Sequence, residues 1–252
     1  MTAALTEIVQ ILDSELNHAQ IGDYSGAKNG LQLENSGQIK QVYCAVDANV
    51  LTVRAAAQSQ SSLLLVHHGI GWNELCPVTG GRYQWLKEAI ESDLAIYSSH
   101  LPLDAHPQLG NNVHLAQKLG FPDSQPYFEE KNCQIGRQIH SEISRAELVD
   151  RIDRELGKQP HLIGAGPASC QRIALITGGG GNLIHQVAAD GFDTLISGEG
   201  NHWTFSAAHE YGMNLILGGH YLTETYGVKA LGSYLDEKFK LPWSFIDEPS
   251  GL

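Results

Sequence analysis

Short runs of β-forming residues alternate along this chain with segments of helical periodicity, and that alternation restricts it to folds built on largely parallel sheets. Residues 42–46, 63–66 and 94–98 read as strands in the first half, and 172–177, 194–197 and 214–217 in the second. Between them, 50–58, 85–91, 112–119, 145–156, 183–189 and 203–211 read as helices. A helix over 5–16 opens the chain, with Leu5, Ile8, Val9, Leu12 and Leu16 at helical spacing, and another over 226–238 closes it. Strands joined through a helix become parallel neighbours, so helices cover the sheet faces. The segment 121–131, with Pro122, Pro126 and several polar residues, interrupts the alternation. The expectation is an α/β protein of two lobes, the first over 1–124 and the second over 125–252.

Composition excludes several partners. Sixteen Lys and Arg against 28 Asp and Glu leave a formal charge of -12, and no block of basic residues occurs, which disfavours direct nucleic-acid or anionic-membrane binding. Apolar runs are too short to cross a bilayer, and the first residues lack the basic start and cleavage signal of a secreted chain. Cys44, Cys76, Cys133 and Cys170 are scattered without C-x-x-C spacing, which suits four ordinary thiols in a reducing cytoplasm.

Three of the strands end in residues able to bind metal, and ligands of parallel α/β sheets collect at the carboxyl ends of strands. His67 and His68 follow 63–66; His100 and Asp104 follow 94–98; His220 and Glu224 follow 214–217. In a continuing strand neighbouring side chains point to opposite faces, so the pair at 67–68 converges only if the strand stops there, with Gly69 and Gly71 making the turn. His220 and Glu224, four apart at the start of a predicted helix, share one face. A lone histidine at a strand end is more often a hydrogen-bonded structural residue than a ligand; convergence of His67, His68, Asp104, His220 and Glu224 is what points to metal. Imidazoles and carboxylates without a thiolate suit zinc, iron, manganese, cobalt or nickel. Five ligands exceed the need of one open tetrahedral zinc and suit two divalent ions about 3.5–4 Å apart. Two such ions outweigh two carboxylates, so the site would draw an anionic small-molecule substrate.

His100 could ligate, shuttle a proton or hold Asp104, and a place behind the ligands is preferred. Glu199 and His202, after the 194–197 strand, are candidates for acid, base or substrate contact, against the alternative of a helix-capping turn with an ordinary surface histidine. His18, His114, His140, His161 and His185 have no partner spacing and receive no role. The glycine run 178–181 between a strand and a helix resembles a phosphate cradle, but the dinucleotide fingerprint requires glycine where Leu183 stands, and no P-loop lysine follows. A tight turn packed against its neighbour explains the glycines equally well.

The motifs Lys28-Asn-Gly-Leu-Gln-Leu33, Ala45-Val-Asp-Ala48, His67-His-Gly-Ile-Gly-Trp72, His100-Leu-Pro-Leu-Asp104, Leu109-Gly-Asn-Asn112, Ser197-Gly-Glu199 and Gly219-His-Tyr-Leu-Thr-Glu224 occur in this order. Together they resemble the NIF-three-like family of GTP cyclohydrolase type 2-like proteins over essentially the whole chain. The resemblance implies two interlinked three-layer α/β lobes, a dinuclear metal site in the cleft between them, and Glu224 as the bridging ligand among His67, His68, Asp104 and His220. It also implies a toroidal homohexamer and the compact form without an inserted domain. The expected function is that of a dinuclear metal-dependent hydrolase-like protein acting on a phosphorylated or nucleotide-like small molecule, with His100, Glu199 or His202 moving protons. The competing expectations are a non-enzymatic metal carrier, sensor or scaffold, and a nucleotide-binding module built on 178–181.

Overall fold

The structure is a computed structural model that describes residues 2–70, 72 and 77–251. It divides into two compact units: residues 1–103, 131–133 and 227–248 form one, and 104–130, 134–226 and 249–252 the other. In chain order the first part runs β1 (Ala3–Ala4), α1 (Leu5–Glu15), β2 (Gly30–Leu33), β3 (Gln38–Ile39), β4 (Gln41–Asp47), α2 (Val50–Ala56), β5 (Ser62–His68), α3 (Gly80–Glu91), β6 (Leu94–Ser98) and α4 (Leu101–Asp104). There follow α5 (Asn111–Lys118), β7 (Gln125–Glu130), β8 (Cys133–Ser144), α6 (Arg145–Leu156), β9 (His161–Gly164) and β10 (Ser169–Ile176). A 3-10 turn (Gly178–Leu183) leads to α7 (Ile184–Ala189), β11 (Thr194–Ser197), α8 (Thr204–Tyr211), β12 (Asn214–Leu217), α9 (His220–Thr223), α10 (Thr225–Phe239) and β13 (Trp243–Phe245).

The first unit is built on a five-stranded sheet ordered β13-β4-β5-β6-β2. Its inner strands are parallel, and only β2 runs antiparallel, at the edge beside β6. The run Leu63 to Val66 is apolar at every position because β5 is central and covered on both faces, and all four residues are at most 1% exposed. Leu64, Val66, Leu94 and Ile96 pack with Val53 and Ala56 of α2 and Ala89 of α3 in one core cluster. Asn49 caps α2, accepting from Leu51 N and Thr52 N, and Thr52 returns the bond to Asn49 N.

The second unit carries a six-stranded sheet ordered β7-β8-β10-β11-β12-β9. Its centre, β10-β11-β12, is parallel, while β8 and β9 flank it antiparallel. Leu115, Leu119, Ile139, Leu148, Ile152, Ile173, Ile196 and Ile216 bury one continuous core. Ser144 caps α6 through Glu147 N, and Gly157 ends it in the left-handed conformation at φ 66°.

Several sequence expectations shift here. The segment 121–131 is not a plain junction, since it contains β7. β8, the longest strand, has buried Cys133, Ile135, Ile139 and Ile143 alternating with polar residues, a one-faced pattern that a search for continuous apolar runs passes over. The closing helix and β13 return to the first sheet, where β13 pairs parallel with β4. Among the described residues no helix is long and apolar enough to cross a membrane.

Candidate metal centre

β5 does not stop before the histidine pair. Its register with β4 continues to Asp47 opposite His68, and His68 O accepts from Ala48 N at 2.8 Å, so the strand runs through both histidines. The rings nevertheless converge, with centroids 4.8 Å apart, because His68 is the last strand residue and its Nδ1 is drawn to Asp47 Oδ1 at 2.9 Å. Gly69 follows for a steric reason: a Cβ there would lie 2.1 Å from Gln32 Nε2, the side chain whose Oε1 accepts from Ile70 N. Gly71 lies outside the described residues.

Within the first unit, His67, His68 and His100 each bring a ligand atom to within 4.8 Å of the others. Each ring has its Nδ1 engaged: His67 with Ser99 O at 3.0 Å, His68 with Asp47, and His100 with Asp23 Oδ1 at 2.9 Å. That leaves Nε2 as the ligand atom of each, with its tautomer and ring orientation fixed from behind, the arrangement typical of metal-binding imidazoles. His100 thus lies in one group with His67 and His68 that could hold a metal ion. Trp72 packs edge-on against it, with ring centroids 4.5 Å apart.

Asp23, which no spacing rule signals, anchors this half. Its side chain is 6% exposed and accepts from His100, Asn29 Nδ2, Leu101 N and Tyr24 N. Burial alone would raise its pKa, but these donors outweigh it and hold the carboxyl below the usual range. Asn29 also accepts from His100 N at 2.8 Å. The motif 28–33 therefore supplies two clamps, Asn29 and Gln32, and its presence in the sequence was the available signal. His18, assigned no role above, bonds Ser99 Oγ through Nε2 at 3.0 Å.

The second unit, taken by itself, holds Asp104, His220 and Glu224. The helix expected across 220–224 is a single turn: α9 ends at Thr223, and Glu224 is its C-cap. The pair still meets, His220 Nε2 to Glu224 Oε2 at 3.0 Å, while Nδ1 faces Glu199 Oε1 at 2.9 Å. Burial opposes the charged imidazole, but the two carboxylates outweigh it and hold the pKa of His220 up at about 9. Asp104 is 9% exposed and Glu224 3%, with ligand oxygens within 4.8 Å of each other. Two carboxylates buried that closely make a place suited to a cation. The donor set fits a borderline-hard divalent metal, and the described free cysteines are buried in the sheets, apart from it.

The glycine turn has a packing role. Gly178 has φ +60°, and a Cβ on it would lie 2.0 Å from Glu224 Oε1; on Gly181 it would lie 2.4 Å from Glu199 O. Gly178 N donates to Thr223 Oγ1 and Gly181 N to Glu199 O, so these two amides are already used. Ser197 Oγ and Glu199 N both donate to Gly178 O, locking the turn beside the Glu224 carboxylate. His202 is exposed ahead of α8, and its carbonyl accepts from Phe205 N.

Known proteins share this arrangement of sequence and fold. A protein of Deinococcus radiodurans called GTP cyclohydrolase 1 type 2 homolog is 38% identical over 93% of this chain and 90% of its own. One of the same name in Escherichia coli is 36% identical over 97% of this chain and 98% of its own. Among solved structures, TTHA1606 from Thermus thermophilus superposes with a TM-score of 0.91 at 33% identity, covering 99% of this chain and 100% of that one. Reduced HcgD from Methanocaldococcus jannaschii, at 24% identity, shares the fold with a TM-score of 0.87, covering 98% and 99%. The Duf34/NIF3 (NGG1p interacting factor 3) family model matches residues 3–250, and the chain belongs to that family.

Proposed function

We propose that this protein is a dinuclear metal-dependent hydrolase acting on a phosphorylated or nucleotide-like small molecule. One observation carries the reading: every imidazole of the first unit's cluster is fixed through Nδ1 by an acceptor, so that three Nε2 atoms converge. In this reading His67, His68, Asp104, His220 and Glu224 would hold two divalent ions, with His100 completing the imidazole set. The relatives' name, GTP cyclohydrolase 1 type 2 homolog, supports a nucleotide-like substrate.

Bound divalent ions would supply Lewis-acid polarisation of a substrate oxygen and a hydrolytic nucleophile at neutral pH. The chain's own residues do the rest. Asp47, Asp23 and Ser99 O hold the imidazoles in one tautomer, and Trp72 packs against the His100 ring. Glu199 is half-exposed and bonded to His220 Nδ1, which suits it to carry a proton between the site and solvent, with exposed His202 three residues on as a relay. A cytoplasmic, toroidal homohexamer is the assembly we infer.

The test is metal stoichiometry by plasma mass spectrometry on tag-free protein, as purified and after chelation and refilling, beside Glu224→Ala. About two ions per wild-type chain, lost in the variant, with metal-dependent turnover in a phosphate-ester and nucleotide screen, is the expected result. Metal held without turnover of any such compound, and released reversibly, would instead make the protein a metal carrier.

A further inference from the structure

Asn111 and Asn112 open α5 with both side chains buried, 0% and 1% exposed. They face different partners. Asn111 Nδ2 donates to Asp104 Oδ1 at 2.9 Å, and Asn112 Oδ1 accepts from Thr177 N at 2.9 Å. Thr177 is followed directly by Gly178, which donates to Thr223 Oγ1 at 3.1 Å and lies against the Glu224 carboxylate. An unbroken run of hydrogen bonds and backbone therefore leads from Asp104 through Asn111, Asn112, Thr177 and Gly178 to Glu224, all within the second unit.

The orientation of Asn112 is fixed by chemistry. A flipped amide would set its NH2 against the Thr177 N–H, donor on donor. The observed orientation leaves Nδ2 buried without an acceptor among the described residues.

We propose that Asn112, acting with Asn111, is a positioning residue that sets the separation of the Asp104 and Glu224 carboxylates. The inference rests on the reading of those two as metal ligands. The test loads chelated and refolded-free, intact protein with cobalt(II) and records its d–d absorption spectrum and its affinity by competition with a chelator. Asn112→Ala should shift the spectrum and weaken binding about 10- to 100-fold, as loss of a group orienting metal ligands does. Asn111→Ala cuts the same tie at its other end and decides the matter if Asn112→Ala does not fold. Asn214→Ala is the control: Asn214 is equally buried and hydrogen-bonded to Gly166, Pro167 and Thr194, but at the opposite end of β12 from His220, so it should lower the melting temperature without moving the spectrum. Variants at 111 and 112 with wild-type spectrum and affinity overturn the inference. A wild type that takes up no cobalt overturns the metal reading itself.

Discussion

Replacing Gly178 by alanine should separate the two demands that the glycine turn meets. The first is conformational: at φ +60° an alanine pays roughly 1–2 kcal/mol that glycine does not. In a chain of this size that lowers the melting temperature by about 2–8 °C. The second is steric, since the new Cβ would sit 2.0 Å from Glu224 Oε1. Ordinary contact begins near 3.4 Å, so the carboxylate must retreat by about 1.4 Å, several times the roughly 0.2 Å tolerance of a metal–ligand bond. Gly178→Ala should therefore fold, melt slightly lower and lose most of its metal. Gly179→Ala, where the added Cβ meets nothing within 4 Å, should change neither quantity. Calorimetry and metal analysis on the two variants provide the assay. If Gly178→Ala holds metal like the wild type, or if Gly179→Ala is equally damaging, the close approach of this turn to Glu224 is not what the glycine is for.

Other perturbations address the supports of the site. Asp47→Asn should weaken metal binding about 10- to 100-fold with little change in melting, because Asp47 acts on His68 and is itself 38% exposed; metal titration with calorimetry checks both halves of that statement. Asp23→Ala strands the donors His100 Nδ1, Asn29 Nδ2, Leu101 N and Tyr24 N, and should cost more than about 2 kcal/mol of stability in denaturant unfolding, an outcome that an unchanged midpoint would contradict. His220, with its pKa raised to about 9, carries a proton at neutral pH in the metal-free protein, and a cation must displace it. Apparent metal affinity should therefore rise with pH up to about 9, and a flat profile between pH 6.5 and 9 would count against His220 as a ligand. The same shift stabilises the metal-free fold below the ordinary imidazole pKa of about 6.5, and that contribution fades as pH rises through 9.

Elements read from continuous apolar runs or clear helical periodicity emerged almost unchanged: 194–197 and 214–217 as strands and 145–156 as a helix match β11, β12 and α6. β8 was hidden because an antiparallel strand with one wet face shows its apolar residues only at every second or fourth position. The candidate metal residues were visible because ligands need particular side chains at strand ends. Their supports were not visible, since a residue such as Asp23 contributes through bonds to His100 and Leu101, more than seventy positions away, and no local spacing encodes such a partner. Histidine convergence was anticipated for a reason that does not hold. The strand does not end early; the Asp47 carboxylate turns the His68 ring at the strand's last residue.

The return of β13 to β4 imposes an order on biosynthesis. A ribosome delivers β4, β5 and β6 early, yet one edge of their sheet stays uncovered until Trp243–Phe245 is made, nearly two hundred residues later. Throughout that interval the strands of the second sheet, β7 to β12, all lying between Gln125 and Leu217 in sequence, can assemble while the first sheet waits with an open parallel edge. The sheet begun first is thus completed last, and a chain truncated before residue 243 would leave that edge exposed to association with other nascent chains.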